Sequence, residues 1–426
     1  IVLQTINLRS KIKPMVFLYN LGIRAYLFLV HIVSPFNRKA KLWIDGRRKW
    51  QDRVRATVNS DDQTVWVHCS SLGEFEQGRP VIESIKQSFP DLKIVLTFFS
   101  PSGYEVRKNY SGADYIFYLP IDTKRNARDF VRLIKPKLVI FVKYEFWYFY
   151  LSELRSRNIP TYIISANFRA NQVFFKSYGN WYRQFLRKFD HLFVQNQTSL
   201  DLLSSIGINN VTVAGDTRFD RVAKVASEAK EFPFVEQFCG SDKIVIAGST
   251  WPKDEEVLAE FFKINRNGVK LIIAPHEIDK HHIESIQHTF PVESILYSER
   301  DKKATSDARI LIIDCIGMLS SLYRYGHIAY IGGGFGVGIH NTLEAATFGI
   351  PVIFGPNYHK FQEAKDLINF KAGFSIKTPF ELVDLLNLFL DDEQKRNDAG
   401  NKSKKFVLSG VGATDIIVSS ISYNLR

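Results

Sequence analysis

The sequence predicts an α/β fold of two doubly wound parallel-sheet domains, preceded by an apolar, membrane-associating helix. Three observations predict it. Short β-branched or aromatic runs alternate with helical segments along most of the chain, the pattern of parallel sheets covered on both faces. The alternation forms two series, and 426 residues exceed what one simple core encloses. Ahead of both series lies an apolar stretch with basic flanks.

That stretch runs from Pro14 to Phe36, between Arg9, Lys11 and Lys13 on one side and Arg38, Lys39, Lys41, Arg47, Arg48 and Lys49 on the other. Residues 1–60 hold 12 Lys/Arg against Asp45 and Asp52, while the remaining residues are nearly balanced at 44 basic and 42 acidic. The basic excess thus brackets an apolar segment and does not form a face on a folded body, which excludes the usual footprint of nucleic-acid binding. Arg24 at the centre costs about 2.5–3.5 kcal/mol in a bilayer-spanning helix. A helix in the interface, with its flanks on anionic headgroups, costs less. A true span and a buried core helix are the alternatives. Cys69, Cys239 and Cys315 are widely spaced and odd in number, which points to a reducing compartment and no disulfide framework.

The first series comprises Val65–Cys69, Lys93–Phe99, Lys137–Val142, Thr161–Ser165, His191–Gln195 and Val211–Ala214. Helical segments such as Glu76–Gln87, Arg125–Ile134, Trp147–Arg157 and Thr198–Ser205 separate them. The second comprises Lys243–Ala247, Lys270–Ala274, Arg309–Ile313, Ile328–Ile331 and Pro351–Phe354. A hinge is expected near Gly215–Lys230, which gives a basic, apolar segment over 1–50 and domains over 51–220 and 221–426. Ligands of such sheets bind at the carboxyl ends of strands, and two such edges are expected to face each other across a cleft.

Most of the motifs fall at those ends. Ser71-Leu72-Gly73-Glu74 follows the first strand, where Glu74 is placed either as a general base or as part of a capping box. Glu145, among Tyr144, Phe146 and Trp147, ends the Lys137–Val142 strand and serves a ligand or caps the next helix. Arg218, in Gly215–Asp220, is available to an anionic leaving group or pairs with an Asp between domains. In the second series, Ala247–Thr250 and Ala274–Glu277 end strands. Gly332, Gly333, Gly334, Gly336 and Gly338 then form a loop before a helix expected to open at His340-Asn341, an arrangement suited to phosphate. Glu344 is one turn into that helix, within reach of a ribose. The alternative is a glycine turn that only lets strand and helix pack.

Several chemistries are excluded by spacing. The loop lacks both G-x-G-x-x-G and the G-K-[ST] ending. His281 and His282 lie five and six residues beyond His276, so H-E-x-x-H is absent, and no D-x-D pair exists to hold a divalent ion. No metal and no cofactor is expected. Between Phe168 and Phe189, five cations interleave with aromatic residues and no acid. That pattern suits a phosphorylated amphiphile, a single strand of nucleic acid or a core helix with a basic face.

Together these pieces resemble the Kdo (3-deoxy-D-manno-octulosonic acid) transferases of lipopolysaccharide assembly. The family's S-V-G-E stands here as Ser71–Glu74, T-E-L-W as Tyr144–Trp147, and G-x-x-K-F-D as Gly215–Asp220. A-G-S-T is kept at Ala247–Thr250 and G-G-H-N-x-L-E matches Gly338–Glu344. The resemblance implies a GT-B glycosyltransferase, two Rossmann-like domains at the cytoplasmic face of the inner membrane. CMP-Kdo would be the donor and a phosphorylated, acylated glucosamine disaccharide (the lipid A precursor) the acceptor. By carry-over Glu74 is the general base, while Glu145 and Arg218 match positions that stabilise the transition state. CMP contacts fall on Pro275 and His276, on Gly317, Met318 and Leu319, and on Asn341, Thr342, Leu343 and Glu344. Three positions depart from the family: His276 stands for an arginine, Arg218 for a lysine, and Met318 for a glutamate. Rival expectations are another GT-B nucleotide-sugar enzyme, such as a lipid-A-disaccharide synthase or a UDP-sugar epimerase, and a non-enzymatic basic peripheral membrane module.

Overall fold

In the computed structural model, which describes residues 2–263, 268–301, 308–336 and 338–426 and only the backbone of residues 2–13, the chain divides into two compact units. The first holds Ile1–Asp220 and Gly412–Arg426, and the second Arg221–Val411. Val337 of the glycine loop and the side chains of Arg9, Lys11 and Lys13 lie outside the described residues.

The strands of the first unit are β1 (Thr64–Cys69), β2 (Lys93–Phe98), β3 (Tyr115–Tyr118), β4 (Pro136–Val142), β5 (Thr161–Ala166), β6 (His191–Val194) and β7 (Val211–Val213). They form a parallel sheet in the order β3-β2-β1-β4-β5-β6-β7. Strand order reverses between β1 and β4, and this switch point places the residues after both strands side by side. Every residue of β1 is buried, because alternate side chains feed two cores. Trp66 packs with Phe130, Phe141 and Tyr150 on one face. Val65, Val67 and Cys69 meet Phe75 and Ile82 on the other.

Residues 412–426, expected with the second domain, belong to the first. Ile417, Val418 and Ile421 of the helix Ala413–Ile421 are buried in that second core, each contributing about 1.5–3 kcal/mol by burial. Asp220 fixes the start of this helix, accepting from Gly412 N at 2.6 Å, Thr414 N at 2.8 Å and Thr414 Oγ1 at 2.7 Å. The last residue of the Gly215–Asp220 motif is therefore a structural clasp.

The second unit's strands are β8 (Lys243–Thr250), β9 (Val269–Pro275), β10 (Ser294–Leu296), β11 (Ile310–Ile312), β12 (Ile328–Ile331), β13 (Val352–Phe354) and β14 (Gly373–Ser375). Their order is β10-β11-β9-β8-β12-β13-β14, all parallel. Its switch point lies between β8 and β12, where Trp251 and the glycine loop emerge.

The N-terminal helix, Val2–Val33, lies along the first unit. Met15 and Tyr19 pack on that unit's core, and Tyr19 Oη donates to the buried Asp122 at 2.6 Å. Phe17, Leu18, Leu21, Phe28, Leu29 and Ile32 are exposed. The aromatic residues between Phe168 and Phe189 serve mainly as core: Phe174, Trp181 and Phe185 are buried. Arg183 is spent on the carbonyls of Phe174 and Lys176.

Candidate active site

At the carboxyl edge of the first sheet, Ser71 is the residue preceding the helix Leu72–Ser88, but its hydroxyl caps no backbone amide of that helix. It donates to the Glu74 carboxylate instead. The capping-box alternative therefore fails, and Glu74 stands half-buried in the first turn, where the helix dipole favours its anion.

Glu145 is also free of capping duty. The helix it precedes, Tyr148–Ser156, carries no side-chain cap from Trp147. Its first amides go to Asp122, which accepts from Phe149 N at 3.1 Å and Tyr150 N at 3.0 Å. Burial pushes the Asp122 carboxyl up to about 6, against these donors and Tyr19. Glu145 is buried and accepts, at Oε2, from Trp147 Nε1 at 2.6 Å and from His68 Nε2 at 3.0 Å. The two carboxylates share one neighbourhood: the Cys69 thiol is pushed well up by burial first, and then by the charges of Glu74, Glu145 and Glu76. Burial raises the Tyr144 phenol, with Arg169 opposing and Glu74 adding to the shift.

Arg218 pairs with Asp216 within the same unit, Nη2 at 2.8 Å and Nε at 3.0 Å from Oδ2. Asp216 is buried and gathers further donors, Gln195 Nε2 at 3.2 Å and Gln77 Nε2 at 3.3 Å. Thr217 Oγ1 donates to the Gln77 carbonyl and lies 3.1 Å from Ser165 Oγ. The Arg218 segment is thus bolted to the helix that carries Glu74 (Gln77 lies three residues on) and to the end of β5. Lys143 and Ser165 adopt left-handed backbone at these strand ends (φ 70° and 53°), a local strain of about 1–3 kcal/mol each that marks functional edges.

In the second unit the glycine loop differs from expectation. Gly332 N donates to Gly248 O at 2.9 Å, Gly333 N to Asp254 Oδ2 at 2.8 Å, and Gly336 N and Gly338 N to Gly333 O at 3.0 and 3.1 Å. Those amides are consumed inside the protein, so they do not form the expected phosphate cradle. The glycines are there for close approach: a Cβ on Gly334 would stand 2.5 Å from Gly355 N, and one on Gly332 2.6 Å from Thr250 Cα. The helix expected from His340 is four residues, Leu343–Ala346, too short for a substantial dipole. Asn341 Oδ1 accepts from Leu343 N at 3.1 Å and its Nδ2 donates to Glu344 at 3.0 Å. The Thr342 hydroxyl is fully buried with no partner among the described residues.

His276, immediately after β9, stacks on both Trp251 (centroids 4.7 Å) and His340 (4.5 Å). Trp251 Nε1 donates to His340 Nε2 at 3.2 Å. Burial first, then His276, lowers the His340 imidazole to about 4, so this ring is neutral near pH 7. Behind the stack, buried Asp254 accepts from Gly333 N, Trp251 N at 3.0 Å and Tyr330 Oη at 2.8 Å. Thr250 Oγ1 donates to Glu255 at 2.9 Å, and His282 Nε2 lies 3.0 Å from both oxygens of that carboxylate. Met318 is buried with Sδ 3.2 Å from Cys315 Sγ. Gly317 has open space where a Cβ would be, and Leu319 packs at Gly248.

Sequence reasoning gave no role to His68, Trp251, Asp254, Gln77 or Gln195. His68 carried a signal, since a polar ring inside an apolar strand requires a partner. Asp254 carries no such signal, since an acid in a first helical turn is ordinary.

A family model described as 3-Deoxy-D-manno-octulosonic-acid transferase (kdotransferase) matches residues 48–221. The 3-deoxy-D-manno-octulosonic acid transferase of Aquifex aeolicus is 29% identical over 333 residues, 76% of this chain and 86% of its own. That of Chlamydia trachomatis serovar A is 27% identical over 403 residues, 90% of this chain and 92% of its own. Among solved structures, UDP-GlcNAc 2-epimerase from Neisseria meningitidis bound to UDP-GlcNAc aligns with TM-score 0.61 at 17% identity, covering 85% of this chain and 100% of that one. Acinetobacter baumannii MurG aligns with TM-score 0.53 at 15% identity, covering 85% and 99%. At such identities these likenesses show the fold alone, a GT-B fold. Over most of its length the chain is thus similar to 3-deoxy-D-manno-octulosonic acid transferases, a likeness that marks it as a glycosyltransferase.

Proposed function

We propose that the protein transfers Kdo from CMP-Kdo to a hydroxyl of the phosphorylated, acylated glucosamine disaccharide that precedes lipid A, with inversion, at the cytoplasmic face of the inner membrane. The observation that carries this reading is Glu74, a strand-end carboxylate relieved of helix capping and oriented by Ser71. Glu74 takes the proton of the acceptor hydroxyl as its oxygen bonds to the anomeric carbon of Kdo. The bond from that carbon to the CMP phosphate breaks, and CMP leaves with the electron pair. Glu145 faces the positive charge that develops on the sugar, and Arg218, fixed by Asp216, the negative charge on the departing phosphate. On the donor side, the stack of Trp251, His276 and His340, the unpartnered Thr342 hydroxyl and the Asn341–Glu344 turn are the groups proposed to hold cytidylate, together with Pro275 and Gly317–Leu319. Binding there relies on short turns, hydroxyls and rings, because the amides of Gly332, Gly333, Gly336 and Gly338 are already bonded.

The Pro14–Val33 stretch is read as interfacial. Tyr19, in its first half, is tied to a buried carboxylate of the first unit, a bond that a helix surrounded by lipid would have to break. The exposed apolar face with Arg24 instead suits a headgroup boundary, and Arg169 is a cation available to the acceptor's phosphate. The test is incubation of the purified protein with CMP-Kdo and lipid A precursor, followed by product mass. Addition of Kdo is expected. Thermal stabilisation by UDP but not CMP, without any product from CMP-Kdo, overturns the reading in favour of a UDP-sugar enzyme.

A further inference from the structure

His68 lies on β1, fully buried in a strand covered on both faces. Its Nδ1 is 2.8 Å from Thr97 Oγ1, on the neighbouring strand and in register with it. Trp66 Nε1 donates to the same hydroxyl at 2.8 Å. Nδ1 also lies 3.2 Å from the Thr97 carbonyl, and the proton at Nε2 is set by its other neighbour, a carboxylate oxygen that already accepts from Trp147 Nε1. Nε2 in turn donates to Glu145 Oε2 at 3.0 Å. Trp147 Nε1 binds that oxygen from its other neighbour at 2.6 Å. Both donors converge on Oε2, and neither binds Oε1.

Phe141 and Trp147 hold the imidazole edge-on, with centroids at 5.8 and 6.4 Å. Trp66, the anchor of the row, is itself wedged among Phe130, Phe141 and Tyr150. The row Trp66–Thr97–His68–Glu145–Trp147 thus matches every donor to an acceptor across β2, β1 and the end of β4. A buried imidazole has no packing advantage over an apolar side chain of similar shape; its function here is the hydrogen bond it makes.

We propose that His68 is a positioning residue for sugar transfer: its Nε2–H fixes Oε2 of Glu145 and leaves Oε1 for the reacting sugar. This rests on the transferase mechanism above and adds to it a residue that touches no substrate. The test is a set of variants assayed with CMP-Kdo and lipid A precursor. His68→Leu is expected to lower kcat by about 10–100-fold, the scale typical for lost outer partners of a site residue, with the donor KM nearly unchanged. His68→Gln, which keeps an N–H donor, recovers most of the rate. In a Glu145→Gln background, His68→Leu adds little, because the group it positions is already altered. If His68→Leu does not fold, Thr97→Val, which frees Nδ1 and lets the tautomer change, is expected to lower kcat in the same direction. Equal losses from His68→Leu in both backgrounds, or no rescue by glutamine, overturn the proposal.

An independent readout needs no substrate. In ¹⁵N-histidine spectra of the unliganded protein, His68 is expected as the Nε2–H tautomer and to shift on Glu145→Gln. Wild-type turnover without that spectral link overturns the positioning role alone. A spectral link in a protein that transfers no Kdo overturns the transferase reading and this role with it.

Discussion

At the carboxyl edge of the first sheet the groups proposed to work are charged side chains locked from behind, whereas at that of the second they are turns, hydroxyls and stacked rings. Glu74 is held by Ser71, Glu145 by His68 and Trp147, and Arg218 by Asp216. In the second unit the buried carboxylate Asp254 faces inwards, gathering the amides of Gly333 and Trp251 and the hydroxyl of Tyr330. The difference separates chemistry from holding. Groups that meet developing charge must be pre-oriented and ionised. A surface that holds a nucleotide through stacking and short turns needs a rigid backbone, and the interior carboxylate provides that rigidity.

Two changes test the contrast most severely. Glu74→Ala is expected to lower transfer by about 10²–10⁴-fold, the range of a general base, while CMP-Kdo binding measured by calorimetry persists and stability hardly changes. Turnover near the wild-type rate would remove Glu74 from the chemistry. Asp254→Ala is expected to act in the opposite sense, costing about 3–5 kcal/mol of stability in urea unfolding because three buried donors lose their acceptor. A loss below about 1 kcal/mol, small for even one orphaned buried donor, would mean that the glycine loop does not depend on that carboxylate.

The third change concerns the N-terminal helix. Tyr19→Phe removes the hydroxyl bonded to Asp122 and nothing else from the contact. It is expected to cost about 1–2 kcal/mol and to open the Pro14–Val33 stretch to limited proteolysis. An unchanged melting temperature and cleavage pattern would mean that the helix is held by its apolar face alone.

The parts of this organisation that sequence reveals follow the same physics. Central strands such as β1, β4, β8 and β9 are buried on both faces and so read as continuous apolar runs. The three strands that went unread, β3, β10 and β14, are all sheet edges of three or four residues, where half-exposed side chains dilute the pattern. The motif residues Glu74, Glu145 and Arg218 were legible because turn residues and carboxylates cluster after strands. What holds each of them was not. Asp122 takes the capping duty that Glu145 was open to from 23 positions away, and Asp216 draws on Gln77 and Gln195. Such partners meet only through the sheet order, and a linear pattern carries no trace of it. The glycine loop misled for a related reason: glycine permits both an exposed anion cradle and close backbone packing, and only the contacts of Gly332 and Gly334 distinguish them.

The smallest expected effect is one of pH, and it isolates the second edge. His340 titrates near 4 in the folded protein, against an ordinary value of about 6.5, because burial and then neighbouring His276 oppose its cation. Between those values the unfolded chain binds a proton that the folded one does not, so stability falls as pH drops from about 6.5 towards 4 and is steady above 7. His340→Asn, which cannot titrate, is expected to shrink the difference in urea midpoint between pH 7.5 and pH 5. An undiminished difference would place the acid sensitivity elsewhere. Because Trp251 already donates to His340 Nε2, protonating this ring must break that bond as well as charge the stack, so CMP binding to the folded protein should weaken only as pH nears 4.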